Sequence, residues 1–221
     1  MSLLNIVECF DSIQGESTFI GKPCRFVRLA GCNLRCTYCD TPYAQDPTEA
    51  TQVNSDIILQ ECIRSAMPIV EFTGGEPLLQ LDNLLSLLFR LVRHKTVLIE
   101  TNGSISLDPF KSAPQNLNLI VDIKCPSSGM SDRIHYPNLE NATRCDQFKF
   151  VVGNREDFEF ARSICTTYPL LQNGYNEVLI SPVYGTIDLP SLADWVVQEM
   201  PYARLQVQLH KIVWPVNMRG V

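Results

Sequence analysis

The stretch that decides the fold is residues 24–41, CRFVRLAGCNLRCTYCDT. A short apolar run at residues 25–29 predicts a β-strand. The loop that follows it carries Cys32, Cys36 and Cys39 in a CxxxCxxC spacing. Soft thiolates select zinc, copper(I) or iron–sulfur clusters. This stretch therefore predicts a strand that delivers a metal centre at its carboxyl end.

The number of ligands favours an iron–sulfur cluster. A structural zinc site is closed by four ligands, and no histidine lies between residues 1 and 93. Three thiolates on a four-iron cubane leave one iron open, as a catalytic site requires, and Gly31 suits the tight turn into the loop. Zinc and three unrelated buried thiols stay open as alternatives at this point.

The rest of the chain predicts alternating strands and helices. Further strands are predicted at 69–73, 97–100, 119–123, 147–152, 178–181 and 205–209, with helices at 55–66, 82–94, 155–167 and 190–199. This alternation indicates βαβ units and a parallel sheet. Nearly every strand runs into a polar or glycine-rich loop, as in barrel enzymes. Because eight good βα units are lacking, we expect an α/β fold: a partial, open TIM-like βα barrel, in a single domain over residues 1–221.

Composition narrows the possible partners and location. The formal net charge is −6, and no cluster of Lys and Arg suggests nucleic acid as the main partner. The start MSLLNIVECF lacks the features of a signal peptide, and no apolar run reaches the roughly 20 residues of a membrane helix. We expect a cytoplasmic protein without a membrane partner. The other cysteines are expected to be reduced, mostly buried thiols: Cys9, Cys24, Cys62, Cys125, Cys145 and Cys165.

Two motifs together resemble those of the radical S-adenosylmethionine (SAM) superfamily: CxxxCxxC with Tyr38 before its last cysteine, and GGEP at residues 74–77. The resemblance implies a barrel of the radical SAM type and a [4Fe–4S] cluster held by Cys32, Cys36 and Cys39. The open iron would chelate SAM. The implied SAM contacts are Tyr38, Cys39, Asp40, Gly75, Glu76, Asn102, Asp122, Ile123, Lys124, Ser181, Pro182, Val183 and Tyr184.

Further segments resemble the 7-carboxy-7-deazaguanine synthases. They are SIQGES at 12–17, RFVRLAGC at 25–32, CDT at 39–41, DIKCPSS at 122–128, QLH at 208–210 and RGV at 219–221. Ser17 departs from the family, in which glycine often follows the Gln-Gly-Glu triplet. The resemblance implies a lyase of queuosine biosynthesis. It would convert 6-carboxy-5,6,7,8-tetrahydropterin to 7-carboxy-7-deazaguanine with loss of ammonia, through a 5′-deoxyadenosyl radical that abstracts hydrogen from the pterin C6, assisted by Mg²⁺.

The same resemblance implies a pocket completed by the N-terminal segment and the C-terminal tail. Its implied substrate contacts are Ile13, Gln14, Gly15, Glu16, Arg28, Thr73, His210 and Val221, with Thr41 as the Mg²⁺ ligand. A carboxylate such as Glu16 can accept paired N–H groups of a pterin, and the forked Arg28 suits a substrate carboxylate. An internal ion pair is the alternative for both. For Thr41 the alternative is a helix cap or turn hydroxyl, and for His210 a structural role.

Other functions fit part of the pattern. A glycyl-radical activase acting on a protein partner is the nearest rival. An electron-transfer iron–sulfur protein and a zinc-binding module are rivals of another class. The Gln-Gly-Glu segment, Thr41 and the Arg-Gly-Val ending favour the pterin enzyme. The resemblance also implies an electron donor such as flavodoxin or ferredoxin, and a homodimer.

Overall fold

A computed structural model describes residues 2–216 and 218–221. Its strands are β1 Leu3–Ile13, β2 Pro23–Leu29, β3 Thr51–Asn54, β4 Ile69–Gly74, β5 Thr96–Thr101, β6 Leu117–Ile123, β7 Gln147–Val152, β8 Glu177–Pro182 and β9 Arg204–Leu205. Its helices are α1 Ser55–Arg64, α2 Leu81–Leu91, α3 Pro137–Glu140, α4 Arg155–Thr167, α5 Pro169–Gln172, α6 Leu189–Glu199 and α7 His210–Val213. The four long helices confirm the predicted ones to within a few residues.

These strands form one sheet in the order β3-β1-β2-β4-β5-β6-β7-β8-β9. From β2 to β9 every neighbouring pair is parallel. Strand β1 is antiparallel to both β2 and β3. Within the described residues β3 and β9 lie at opposite edges and do not pair, so the barrel is open. The prediction of a partial βα barrel is confirmed.

The predicted strand at 205–209 is wrong. Only Arg204–Leu205 pairs with β8. The backbone N–H of Leu209 donates instead to the carbonyl of Gly15 at 2.9 Å. His210 therefore begins the short helix α7 and does not directly follow a strand. The chain leaves the sheet because the turn after β1 supplies a competing hydrogen-bond partner.

The two faces of the sheet differ in chemistry, because side chains two residues apart on a strand share a face. The outer face joins the helices in the main apolar core. The inner face carries a second apolar cluster of Cys24, Phe26, Ile69, Leu98 and Ile120. Two residues further along these strands the inner side chains are Arg28, Glu71, Glu100 and Asp122. The barrel interior thus changes from apolar to charged toward the carboxyl ends of the strands. No helix in the described ranges is long and apolar enough to cross a membrane.

Candidate active site

Backbone hydrogen bonds fasten the cysteine loop to the GGEP segment. Gly31 turns the chain with φ +92°, and its carbonyl accepts from the Glu76 N–H at 2.7 Å. The Gly75 N–H donates to the carbonyl of Leu29 at 3.0 Å. A Cβ on Gly75 would lie 2.1 Å from the Gly31 oxygen. This close approach requires glycine at position 75, which explains part of the GGEP motif by packing alone.

The three thiols of the loop are half-buried. The Cys32 sulfur accepts from the Leu34 N–H at 3.4 Å and from Asn102 Nδ2 at 3.8 Å. Burial raises the pKa of the Cys32 and Cys36 thiols. In the described part of the chain no three His, Cys, Asp or Glu side chains converge as one bound metal ion requires. A cubane needs no such convergence, because each thiolate binds its own iron, and the thiolate donor set fits an iron–sulfur cluster.

The remaining six cysteines form no disulfide within the described residues, and their reduced state stays a prediction. Cys24, Cys62, Cys125 and Cys165 are buried, and Cys9 and Cys145 are partly exposed.

Glu76 is buried and ties the ends of β4 and β5 together. Its carboxylate accepts from the Leu78 N–H at 2.9 Å, Thr101 Oγ1 at 2.8 Å and the Asn102 N–H at 2.7 Å. Burial, opposed by these donors, raises the pKa of Glu76. Asn102 in turn donates to Asn33 Oδ1 at 2.9 Å. Glu76 therefore shapes the loop beside the cysteines, in addition to any contact with SAM.

Two strand ends present buried acceptors without partners. Asp122 Oδ2 pairs with Lys124 Nζ at 2.9 Å and lies 3.5 Å from Lys149 Nζ. Asp122 Oδ1 is buried and makes no hydrogen bond in the described structure, and the same holds for Ser181 Oγ. Buried polar atoms are normally satisfied. The two orphaned oxygens therefore fit a ligand with hydroxyl groups, such as the nucleoside part of SAM.

Other predicted SAM contacts surround this edge of the sheet. The Tyr38 hydroxyl donates to the carbonyl of Val151 at 3.4 Å. Asp40 pairs with Lys211 Nζ at 2.8 Å, and the same ammonium lies 5.7 Å from the centre of the exposed Tyr184 ring. Ile123 ends β6, and Pro182 and Val183 follow Ser181 at the end of β8.

The Gln-Gly-Glu turn follows β1, which ends where Ile13 pairs with Pro23. Gln14 Oε1 accepts from the Glu16 N–H at 2.9 Å, and Gln14 Nε2 donates to the carboxylate of Glu71. Both ends of the Gln14 amide are thus used within the protein. The backbone of Gln14 is used as well: its N–H donates to the carbonyl of Lys22 at 2.8 Å, and its carbonyl accepts from the Gly21 N–H at 2.7 Å. Gln14 therefore shapes the turn with both its side chain and its backbone. The sequence reasoning missed Glu71 as part of this site.

Glu16 is held by a buried ammonium group. Its Oε2 lies 2.6 Å from Lys149 Nζ, and the same nitrogen also contacts Glu100. Glu16 Oε1 is buried and makes no hydrogen bond within the described residues. The alternative of an internal ion pair is therefore realised at one oxygen, while the other is left as an acceptor. Lys149 and Glu100 were missed, although each is a charged residue inside an apolar strand, which is a usable signal.

Arg28 also forms an internal ion pair. Its Nε donates to Glu8 Oε1 at 2.7 Å, and its guanidinium carbon lies 5.8 Å from the centre of the Phe10 ring and 6.0 Å from that of Tyr43. In the described residues its two terminal nitrogens make no protein hydrogen bond. The ion pair with Glu8 therefore orients the guanidinium group of Arg28, whose terminal nitrogens can still donate to a ligand.

The two predicted threonines have different relations to the Arg28–Glu8 pair: Thr73 is next to Arg28, whereas Thr41 precedes Tyr43, whose hydroxyl donates to Glu8 at 3.0 Å. Thr73 is buried and stands beside Arg28 in the register of β4 with β2. Thr41 precedes a 3-10 turn, Pro42–Ala44, and its hydroxyl makes no capping hydrogen bond. The alternative of a capping hydroxyl is thus not realised at Thr41.

The C-terminal segment lies against the Gln-Gly-Glu turn. A Cβ on Gly15 would lie 2.1 Å from His210 Nδ1, so the imidazole packs directly on the glycine. Burial lowers the pKa of His210. Further along the tail, the Arg219 guanidinium lies 3.7 Å from the centre of the Tyr43 ring, and Val221 is partly buried. The tail thus returns toward the element that carries Thr41.

The backbone at Ser17 explains why glycine often follows the Gln-Gly-Glu triplet in the family. Ser17 has φ +61°, in the left-handed region that favours glycine. Its hydroxyl accepts from the Phe19 N–H at 3.2 Å, which offsets part of the strain.

Comparisons with known proteins agree with this geometry. The model of the radical SAM superfamily matches residues 27–134. A 7-carboxy-7-deazaguanine synthase of Chlorobaculum tepidum is 40% identical over 99% of this chain and 97% of its own length. One of Koribacter versatilis is 39% identical over 99% of this chain and 100% of its own length.

Solved structures share the fold. QueE from Escherichia coli aligns with a TM-score of 0.71 and 24% identity, covering 94% of this chain and 95% of that chain. Streptococcus suis SuiB bound to S-adenosylmethionine aligns with a TM-score of 0.54 and 15% identity, covering 80% of this chain and 47% of that chain. The chain is 40% and 39% identical to two 7-carboxy-7-deazaguanine synthases over nearly their whole length. This similarity covers much more of the chain than the cysteine and GGEP motifs, which a glycyl-radical activase would share. The chain is a member of the 7-carboxy-7-deazaguanine synthase family within the radical SAM superfamily.

Proposed function

We propose that this chain converts 6-carboxy-5,6,7,8-tetrahydropterin to 7-carboxy-7-deazaguanine with loss of ammonia. The observation that carries the proposal is the position of Glu16 in the Gln-Gly-Glu turn. Its Oε1 is buried and has no hydrogen-bond partner within the described residues, and its Oε2 pairs with Lys149, which also lies close to Asp122. A carboxylate oxygen that lacks a donor fits the N–H groups of an aminopyrimidinone ring. The two whole-length relatives support the same reaction.

The cofactors are a [4Fe–4S] cluster, SAM and Mg²⁺. When bound, the cluster and SAM would supply the radical chemistry that removal of hydrogen from the pterin C6 requires. The protein's contribution is to bind, orient and shield. Cys32, Cys36 and Cys39 would hold the cluster. Asp122 and Ser181 carry the unpaired oxygens that fit SAM.

The substrate pocket is completed, in this proposal, by both ends of the one domain. Glu16 would bind the pterin ring, and Arg28 the substrate carboxylate through its free terminal nitrogens. Thr73 lies beside Arg28. His210, packed on Gly15 and kept neutral by burial, would close the pocket with Val221.

Thr41 would contribute a hydroxyl to Mg²⁺. The hydroxyl makes no cap, so it is available, but a single neutral ligand does not displace the water of this ion. Mg²⁺ usually binds through one or two protein ligands together with substrate oxygens. The ion would therefore bind tightly only in the ternary complex with the pterin.

The setting of the enzyme is part of the proposal. Family membership supports a cytoplasmic homodimer that receives electrons from a flavodoxin or ferredoxin. Sedimentation of the reconstituted enzyme tests the dimer, and turnover with reduced flavodoxin in place of a chemical reductant tests the donor.

Product analysis tests the reaction itself. The cluster is reconstituted anaerobically, and the enzyme is incubated with SAM, reductant, Mg²⁺ and 6-carboxy-5,6,7,8-tetrahydropterin. Mass spectrometry should detect 7-carboxy-7-deazaguanine and 5′-deoxyadenosine. Cleavage of SAM without the deazaguanine product would contradict the substrate, and failure to cleave SAM with an intact cluster would contradict radical chemistry.

A further inference from the structure

Lys149 occupies a position where lysine is rarely found. It lies in the middle of β7 between Phe148 and Phe150, which belong to the outer core. Lys149 itself is on the inner face and only 4% exposed. Lysine is almost never fully buried unless it is paired, because the charge loses its hydration and needs compensation. The role assigned to the site so far does not account for this residue.

The ammonium group of Lys149 joins three elements of the barrel. It lies 2.6 Å from Glu16 Oε2 in the turn after β1 and 3.5 Å from Asp122 Oδ2 on β6. It also contacts Glu100 on β5. Burial opposes the charged form, but these carboxylates outweigh it and raise the pKa of Lys149. A charged group therefore sits between the carboxylate proposed for the pterin and the one proposed for SAM.

The two carboxylates depend on Lys149 to different degrees. Asp122 has a second cation, because Lys124 Nζ lies 2.9 Å from it. Glu16 has Lys149 as its one ion-pair partner in the described part of the chain. With Oε2 fixed by Lys149, the carboxylate of Glu16 is held in one orientation and Oε1 stays without a donor. Loss of the ammonium would release Glu16 more than Asp122.

We propose that Lys149 is a positioning residue for the pterin: it holds Glu16 so that Oε1 accepts from the N–H groups of the pterin ring, while the SAM site relies mainly on Lys124. This inference rests on the proposed function, and specifically on Glu16 as a pterin contact. Lys149 touches neither the reacting carbon nor the departing ammonia in this scheme. It acts only through Glu16.

The test compares two matched variants, Lys149→Met and Lys124→Met, each of which replaces an inner ammonium by an apolar side chain. Cluster-loaded enzyme without reductant is titrated anaerobically with 6-carboxy-5,6,7,8-tetrahydropterin and, separately, with SAM. Lys149→Met should raise the Kd of the pterin at least tenfold and change that of SAM less than threefold. Lys124→Met should show the opposite preference. Lys149→Arg, which restores the charge, should bind the pterin more tightly than Lys149→Met.

A merely structural role would move both affinities together. If circular dichroism shows that Lys149→Met does not fold, the comparison is made in a Glu100→Gln background, in which loss of Lys149 leaves one carboxylate fewer without a partner. The Kd of the pterin should again differ at least tenfold between Glu100→Gln and Glu100→Gln/Lys149→Met. The inference about Lys149 is overturned, and the proposed function is not, if a folded variant has a Kd for the pterin within threefold of that of its parent. The same holds if its affinity for SAM falls as much as its affinity for the pterin. Wild-type enzyme that does not bind the pterin overturns the proposed function.

Discussion

Replacing Gly15 by alanine should push His210 out of its place. The new Cβ would lie 2.1 Å from Nδ1, 3.0 Å from Cγ and 3.2 Å from Cε1 of the imidazole. Non-bonded heavy atoms are comfortable at about 3.5 Å or more, so the ring must move by more than about 1 Å. Gly15 does not have a positive φ, and alanine therefore adds no backbone strain. Overpacking of this kind costs about 1–3 kcal/mol.

A double-mutant cycle separates this clash from other effects. Urea unfolding is measured for wild type, Gly15→Ala, His210→Ala and the double variant. Because alanine at 210 removes the clashing ring, the double variant should be about as stable as His210→Ala, which gives an interaction energy of about 1–3 kcal/mol. Gly174→Ala is the control: it meets nothing within 4 Å but has φ +73°, so its cost should not depend on His210. Strictly additive losses at positions 15 and 210 would refute the packing argument.

Further predictions concern the cluster, the ligands and pH. Cys32→Ala should abolish cluster binding and SAM cleavage, whereas Cys62→Ala, in the core of α1, should keep the iron content of wild type. Glu16→Gln should weaken pterin binding by about 1–3 kcal/mol and leave SAM affinity unchanged in calorimetry; a selective loss of SAM would contradict the division of the site. Calorimetry should show tight Mg²⁺ binding only with the pterin present, and weaker binding in Thr41→Ala; equally tight binding without pterin would exclude this assignment. Burial raises the pKa of Asp146 from 3.8 to about 6, so the free energy of unfolding should fall as pH rises through this window. In urea unfolding, wild type should be about 2.4 kcal/mol less stable at pH 7 than at pH 4 through this group, and Asp146→Asn should lack that difference.

The sequence predicted the parallel part of the fold well because its signals are local. Strands β4 to β8 are short apolar runs bounded by polar loops, and the long helices carry caps, such as Asn54, which accepts from the Asp56 N–H at 2.8 Å. Strand β1 was missed because its sequence mixes polar and apolar residues and its register with β2 shifts between Ile6 and Glu8. Strand β3 has only four residues and no apolar run.

The motifs of the site were recognisable, but the partners of its residues were not. Spacing alone could place Cys32 in a loop and Glu76 at a strand end. It could not show that Arg28 pairs with Glu8 across an antiparallel register, since strand β1 was itself unrecognised. Nor could it place Lys149 against Glu16, which lies 133 positions away. Such contacts depend on how the barrel curves, and local sequence carries little of that information.

Charged residues inside apolar strands are the signal that links sequence to site in this chain. Glu71, Glu100 and Lys149 each interrupt a run that otherwise reads as buried strand. A barrel can accept them on its inner face, where charged partners from other strands meet. Burial, reinforced by the neighbouring Glu100 and Glu16, raises the pKa of Glu71 well above its usual range. These three positions therefore lead from the sequence to the inner face on which Gln14 and Glu16 find their partners, since Gln14 Nε2 donates to Glu71 and Lys149 joins Glu16 to Glu100.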